Sequence, residues 1–255
     1  MSPDTDGATD SAGVPWKGRR FQPNPAAGDD GSADPGLWQA LTAFRAGTGS
    51  QTAVVDALRT ARVLVPLLAE KGDEGIGAHG LAVDKTQELS IVTVAAPDGR
   101  KVLPLFSCVE TLTAWDPKAR PIPVAGTRAA LSAAGEDTDL IVLDPTSPTE
   151  FVVRRPAVWA IAQDQPWEPA AANPDVFLGL QDSIAGELAV VEIGAEPGDP
   201  GARLAGPELI VRLSLIAGLD QAELDAVLQR LARRWAADVR IAVLVDSLQV
   251  TLGAA

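Results

Sequence analysis

The apolar residues of this chain change their period several times, and each change marks an element. Leu37, Leu41 and Phe44 recur at helical spacing behind Asp34 and Pro35. An Asp can accept the first free N–H groups and a Pro suits the first turn, so a helix is predicted there, stopped by Gly47-Thr48-Gly49. A second helix follows Ser50, with Val54, Leu58 and Ala61 on one face. Residues 62–68, Arg-Val-Leu-Val-Pro-Leu-Leu, read as a strand. Pro66 has no N–H to give, which predicts a sheet edge or a bulge. After a polar, Gly-rich loop at 70–88, residues 89–96 and 100–106 read as a hairpin turning on Pro97-Asp98-Gly99. Ser107 and Glu110 are spaced as a capping box for a short helix ending before Pro117. Residues 121–125 form a brief strand, and Thr127 caps a helix carrying Leu131. Strands follow at 140–143 and 150–153, then a short helix at 156–162.

Residues 164–174 hold three prolines in eleven positions and read as a linker. Beyond it, Val176, Leu180, Ser183 and Ile184 suggest a short helix, and 188–193 alternate as a strand. A Gly/Pro-rich turn at 194–207 leads to a strand at 208–216. Asp220 and Glu223 form a capping box for the most regular helix, whose stripe is Leu224, Val227, Leu228, Leu231 and Trp235. Residues 238–245 read as a strand, with 248–252 as an extension. The fold class is therefore α+β: two small domains, each a mixed β-sheet packed with helices, preceded by an extended N-terminal arm. The arm spans 1–36, the first domain 37–163, the linker 164–174 and the second domain 175–255.

The formal net charge is −13, and residues 161–255 hold fourteen acidic against six basic residues. An acidic surface repels nucleic-acid phosphate and anionic membranes, so neither is an expected partner. The plainest role of the charge is solubility. Cys108 is the sole cysteine, which excludes a disulfide framework and a Cys-based zinc site. The opening Met1-Ser2-Pro3-Asp4 has no basic or apolar leader pattern, and no apolar run approaches the roughly 20 residues that span a bilayer. The expected location is cytoplasmic.

Few residues suggest chemistry. Gly75-Ile76-Gly77-Ala78-His79-Gly80 matches G-x-G-x-x-G, but no helix follows it to hold a pyrophosphate. His79, the only histidine, falls in the same loop. Cys108 reads as a small packed residue rather than a reactive thiol. Glu136, Asp137 and Asp139 read as an exposed charge run, without the spacing of a calcium loop. No catalytic, cofactor-binding or metal-binding residue is assigned, and no cofactor is expected. Asp144, at the end of a buried strand, marks a possible pocket, although Asp-Pro-Thr-Ser-Pro is also good turn chemistry. Trp115, Trp159 and Trp235 fit core positions on helices. Trp16, Arg19, Arg20 and Phe21 in the arm, with Trp167 in the linker, look like anchors, within the molecule or to a partner. The pairs Arg154-Arg155 and Arg233-Arg234 are solvated ends, or face acidic surface on the other domain or on a partner.

Residues 62–69 resemble a segment of the SseB-like family, named for enhanced serine sensitivity. So do residues 96–124, from Ala-Pro-Asp-Gly-Arg-Lys through Ala-Trp-Asp-Pro to Pro-Ile-Pro-Val, and the stretches 140–145 and 151–167. Residues 15–35 are similar to the arm of actinobacterial members, and 175–252 to the family's more variable C-terminal domain. The resemblance implies two α+β domains and supplies no catalytic residues. The expected function is a non-enzymatic, cytosolic protein-interaction or regulatory module. It would offer edge strands and its Trp/Arg segments to a protein partner, with Pro66 and Pro104 limiting unwanted pairing. The alternative is a small-molecule sensor or enzyme with a pocket near Asp144 or between the domains, which the family name ties to amino-acid metabolism. A homodimer built on the C-terminal sheet is a third possibility.

Overall fold

In the computed structural model, which describes residues 28–69, 89–91, 93–96, 99–135, 138 and 140–254, the first helix α1 (Pro35–Arg45) starts where Asp34 accepts the Leu37 N–H at 3.0 Å. Contacts divide the chain into Met1–Asp30 and Gly31–Ala255. Of the first unit Gly28, Asp29 and Asp30 are described; every helix and strand named here lies in the second.

Helix α2 (Gln51–Thr60) is capped by Ser50 and buries Val54, Val55 and Leu58. There follow β1 (Arg62–Ala69), β2 (Leu89–Ile91), β3 (Val94–Ala95), β4 (Lys101–Leu105), α3 (Val109–Trp115), β5 (Arg120–Ala125), α4 (Gly126–Gly135), β6 (Leu140–Leu143), β7 (Phe151–Val153) and α5 (Arg155–Ala162). One sheet runs β2-β1-β5 and another β3-β4-β6-β7, in which β4 and β6 are parallel. Leu64 and Phe106 exchange N–H···O bonds of 2.8 and 2.9 Å and so join β1 to the end of β4. Helices α1, α2, α4 and α5 supply Leu37, Leu41, Leu58, Ala130, Val158 and Ile161 to one core with Leu105, Leu143 and Phe151.

Pro66 is not at an edge: β1 is the middle strand, and Pro66 lies opposite Pro121. Leu64 bonds towards Phe106, so alternate residues Val63 and Val65 turn their polar groups to β5. Pro66 then points its missing donor at the gap where β1 leaves β4 and joins β2. Pro121 and Pro123, by the same alternation, put theirs on the outer side of β5, which is the edge.

The predicted hairpin divides between sheets. β2 pairs with β1, while β3 pairs with β4. Its turn is closed by Gly99, at φ +85°, donating to Ala96 O at 2.9 Å; Pro97 and Asp98 lie outside the described residues. The Ser107–Glu110 capping box does not form, because the Ser107 hydroxyl is held by Asp144 and Cys108 takes the cap position without a side-chain bond. Helix α4 begins at Gly126, one residue before Thr127. A Cβ at 126 would lie 1.8 Å from Leu58 O, so only glycine lets α2 approach.

The chain continues through α6 (Pro174–Ser183), β8 (Val190–Pro197), β9 (Leu209–Leu215), α7 (Gln221–Ala237), α8 (Val239–Leu244) and β10 (Leu248–Ala254). The sheet order is β10-β9-β8. β9 alternates cleanly: Leu209, Val211, Leu213 and Leu215 are buried under α6, α7 and α8. The capping box of α7 is present in both directions. Residues 239–244 are helical rather than extended. β9 and β10 are parallel, a pairing that needs a crossover, and α7 with α8 provides it. Asp238 caps α8 through the Arg240 N–H at 2.9 Å, and Ile241 packs against Gly179 of α6. The fold is α+β. Among the described residues no helix is long and apolar enough to cross a membrane.

Candidate functional site

Strand β7 ends at Val153, and the next residue, Arg154, takes the cap position of α5 while its side chain makes no cap bond and turns inward. Its guanidinium is buried and meets four acceptors: Asp199 Oδ2 at 2.7 Å, Gly206 O at 2.8 Å, Asp246 Oδ2 at 3.1 Å and Ser247 Oγ at 3.2 Å. Arg100 adds a second cation, its Nη1 donating to Asp246 Oδ1 and Oδ2 at 2.9 and 3.0 Å. The carboxylates of Asp199 and Asp246 are only 2% and 1% exposed. Charges so enclosed persist only when paired and hydrogen-bonded.

The same carboxylates shape the backbone. Asp199 Oδ2 accepts the Arg203 and Leu204 N–H groups, and Ala202 and Leu204 are held at φ +47° and +54°. This loop lies along the outer side of β7, where Ala202 O accepts the Val152 N–H at 2.9 Å. Arg45 ties it to the start of β7, donating to Gly201 O in the loop and to Glu150 O just before the strand. The edge of β7 is thereby covered.

Glu208, at the entrance to β9, completes the cluster. Its Oε2 accepts the Asp246 N–H at 2.5 Å. Burial pushes its carboxyl up to about 7, helped by the negative charge of Asp246. The Asp246 and Ala170 N–H groups and the Arg154 cation restrain the rise. With Glu208 protonated, the two guanidinium groups balance Asp199 and Asp246. A cleft of about 500 Å³ opens beside the cluster, lined by Arg100, Asp246 and Ser247 and by residues 204–207.

A family model described as the SseB protein N-terminal domain matches residues 37–160. That stretch is an SseB N-terminal domain. Comparison with the curated proteins and with the solved structures gives no match. The SseB domain supplies both guanidinium groups, Arg100 and Arg154, while Asp199, Asp246 and Glu208 follow it in the chain. This junction is what residue types alone did not reveal. Arg154 is not a solvated strand end: it meets the carboxylates of Asp199 and Asp246, which lie beyond the SseB domain in the chain. Its neighbour Arg155 donates to Ala242 O and Val245 O of the α8 end and stacks 5.4 Å from the centre of the Trp159 ring. Arg234 meets Ser183 O and lies 3.9 Å from Glu187.

Asp144 is not a pocket residue. It is fully buried, at φ +48°, and its carboxylate accepts from Ser107 N, Ser107 Oγ, Thr111 Oγ1 and Thr149 Oγ1 at 2.7 to 2.9 Å. Four donors fill the sites a carboxylate offers. Asp144 ties the turn before α3 to the turn before β7. Trp167 is likewise no outward anchor of the SseB domain: it is 9% exposed and packs in the domain's core. Ala170, three residues on, enters the core beneath β9, so the proline-rich stretch is fastened at both ends. Trp235 is buried and donates to Ser183 Oγ at 2.8 Å. Trp159 is 37% exposed, against its expected core position. Cys108 is buried, 3.6 Å from Thr111 Oγ1. Trp16, Arg19, Arg20, Phe21, the 75–80 motif with His79, and Glu136, Asp137 and Asp139 lie outside the described residues. Among the described residues no group of three or more His, Cys, Asp and Glu is placed to hold a metal ion.

Trp167 Nε1 is buried without a hydrogen-bond partner among the described residues. An unmet donor costs roughly 1–3 kcal/mol. Trp167→Phe removes that donor and leaves a small void, so the two changes offset. The expected loss is under about 1 kcal/mol in urea unfolding, well below the usual cost of truncating a buried aromatic.

Proposed function

We propose that this SseB-like protein is a non-enzymatic interaction or regulatory module that recognises a protein partner through its C-terminal sheet. The observation that carries this reading is strand β10. It ends its sheet, no described strand pairs with its outer side, and its seven residues, Leu-Gln-Val-Thr-Leu-Gly-Ala, include no charge and no proline. Proteins normally blunt such edges. Three other edges are blunted: β5 by Pro121 and Pro123, β7 by the 198–207 loop, and β8 by Glu192, Glu196 and a register shift, while β2 and β3 are only three and two residues long. Beside β10, an apolar groove of about 320 Å³ runs between α7 and α8 past Leu248. An unpaired edge beside an apolar groove is how an extended segment is bound: main-chain bonds give affinity and the groove takes alternate side chains. The buried polar groups at Arg154 satisfy one another, which suits a clamp better than a reacting centre. The arm residues Trp16, Arg19, Arg20 and Phe21 are proposed as additional contacts.

The test is capture of a partner by the immobilised full chain. Leu252 is 48% exposed at the edge. Leu252→Lys is expected to abolish capture with the melting temperature unchanged. Capture that survives this change would refute recognition through β10.

A small-molecule sensor is the second reading, favoured by the cleft beside Arg100, Asp246 and Ser247. A thermal shift with one amino acid or nucleotide, lost in Arg100→Ala, would support it over the first.

A further inference from the structure

Resting on that reading of β10, we propose that its partner is a second copy of this chain, joined by antiparallel β10–β10 pairing about a two-fold axis at Val250. Residues 248–252 read Leu-Gln-Val-Thr-Leu. Run antiparallel against itself about Val250, the strand sets Leu248 opposite Leu252, Val250 opposite Val250 and Gln249 opposite Thr251 in both directions. The apolar side chains stay on one face, because the period of a strand is two. That face is fixed within each copy: Leu248, Val250 and Leu252 are in register with Leu209, Val211 and Leu213, which face the helices. The pairing therefore extends one core face into the other, as an isologous contact requires.

Charge selects the same surface. Each copy carries −13, so two copies repel, and they meet best where acidic groups are absent or, like Asp246 in the flanking groove, already paired with arginine. β10 is uncharged, and the small residues Ala232, Ala236 and Ala242 line the flanking groove, leaving room for helices to approach across the axis. At the opposite edge, β8 brings Glu192 and Glu196, and the same antiparallel meeting would set acid near acid. Leu252, on the helix-facing side yet 48% exposed, is only half covered within its own copy and gains further cover from Leu248 of the second.

The experiment is mass by light scattering on the full chain over a range of concentration and salt. A dimer is expected, strengthened by salt because screening weakens the repulsion between like-charged copies. Gln249 and Thr251 are exposed on the helix-free face, so changes there leave the core intact. Gln249→Lys with Thr251→Lys places like charges opposite each other across the axis and is expected to give monomer. Gln249→Lys with Thr251→Glu places opposite charges there and is expected to restore the dimer. Thermal melts on both variants verify folding. A monomer at every concentration overturns the proposal, as does a dimer indifferent to both variants. If the chain stays monomeric while a foreign protein is captured and lost with Leu252→Lys, self-pairing fails and the interaction reading stands. If neither binding occurs, both fail.

Discussion

Replacing Arg154 with alanine is expected to remove about 3–5 kcal/mol of stability, the usual cost of deleting one member of a buried ionic cluster. The deleted guanidinium leaves Asp199 with only backbone donors and Asp246 with Arg100 and the Ser247 hydroxyl, both carboxylates still enclosed. It also releases Gly206 O and Ser247 Oγ. Arg154→Lys should recover little of the loss, because one ammonium cannot present the planar fork that meets Asp199 and Asp246 together. Urea unfolding of the wild type and both variants is the measurement. The alanine variant should also unfold in two steps, with the β8–β10 sheet separating before the SseB domain, since the clamp lies between the two larger hydrophobic clusters. A loss below about 1 kcal/mol, or recovery by lysine, would show that the cluster is not what holds the junction.

Local signals made much of the fold readable, and distant ones did not. The caps at Asp34, Ser50 and Asp220 bond to residues three positions away, so spacing alone reveals them. The junction has no such signature. Arg154 finds Asp199 and Asp246 at separations of 45 and 92 residues, and nothing in Gly-Asp-Pro-Gly or Asp-Ser-Leu announces a partner. At Asp144 the turn is legible in Asp-Pro-Thr-Ser-Pro, but what holds its carboxylate is not: the donors Ser107 and Thr111 lie before and within α3, more than thirty residues earlier. Residues 239–245 misled through composition: Val239, Ile241, Val243 and Val245 alternate as a strand would, and the parallel pairing of β10 with β9 overrides that preference. Trp167 looked unsupported because its core is assembled from helices and strands earlier in the chain.

Glu208→Gln is expected to flatten the pH dependence of stability between about pH 5 and 8. The Glu208 carboxyl is raised from 4.5 to about 7, chiefly by burial. Between those values the folded chain holds a proton that the unfolded chain has released. Stability from this group is therefore complete below pH 4.5 and falls as pH rises through about 7. A shift of that size corresponds to roughly 3 kcal/mol. Glutamine keeps an acceptor for the Asp246 N–H without the titrating proton, so the variant should be the more stable protein at pH 8 and near the wild type at pH 5. Glu187, held below the usual carboxylate range by Arg230, and Asp238, held down by Arg240, act in the opposite direction at the acid end. What they contribute is present above the ordinary carboxylate pKa and is lost as pH falls, so they leave the slope between pH 5 and 8 alone. Urea midpoints at pH 5, 6, 7 and 8 provide the comparison, and parallel slopes in the two proteins would refute the assignment. The two substitutions are also coupled. Arg154 restrains the rise of Glu208, so in the Arg154→Ala background the Glu208 transition should move to still higher pH, and adding Glu208→Gln should stabilise that background more than it stabilises the wild type at pH 8.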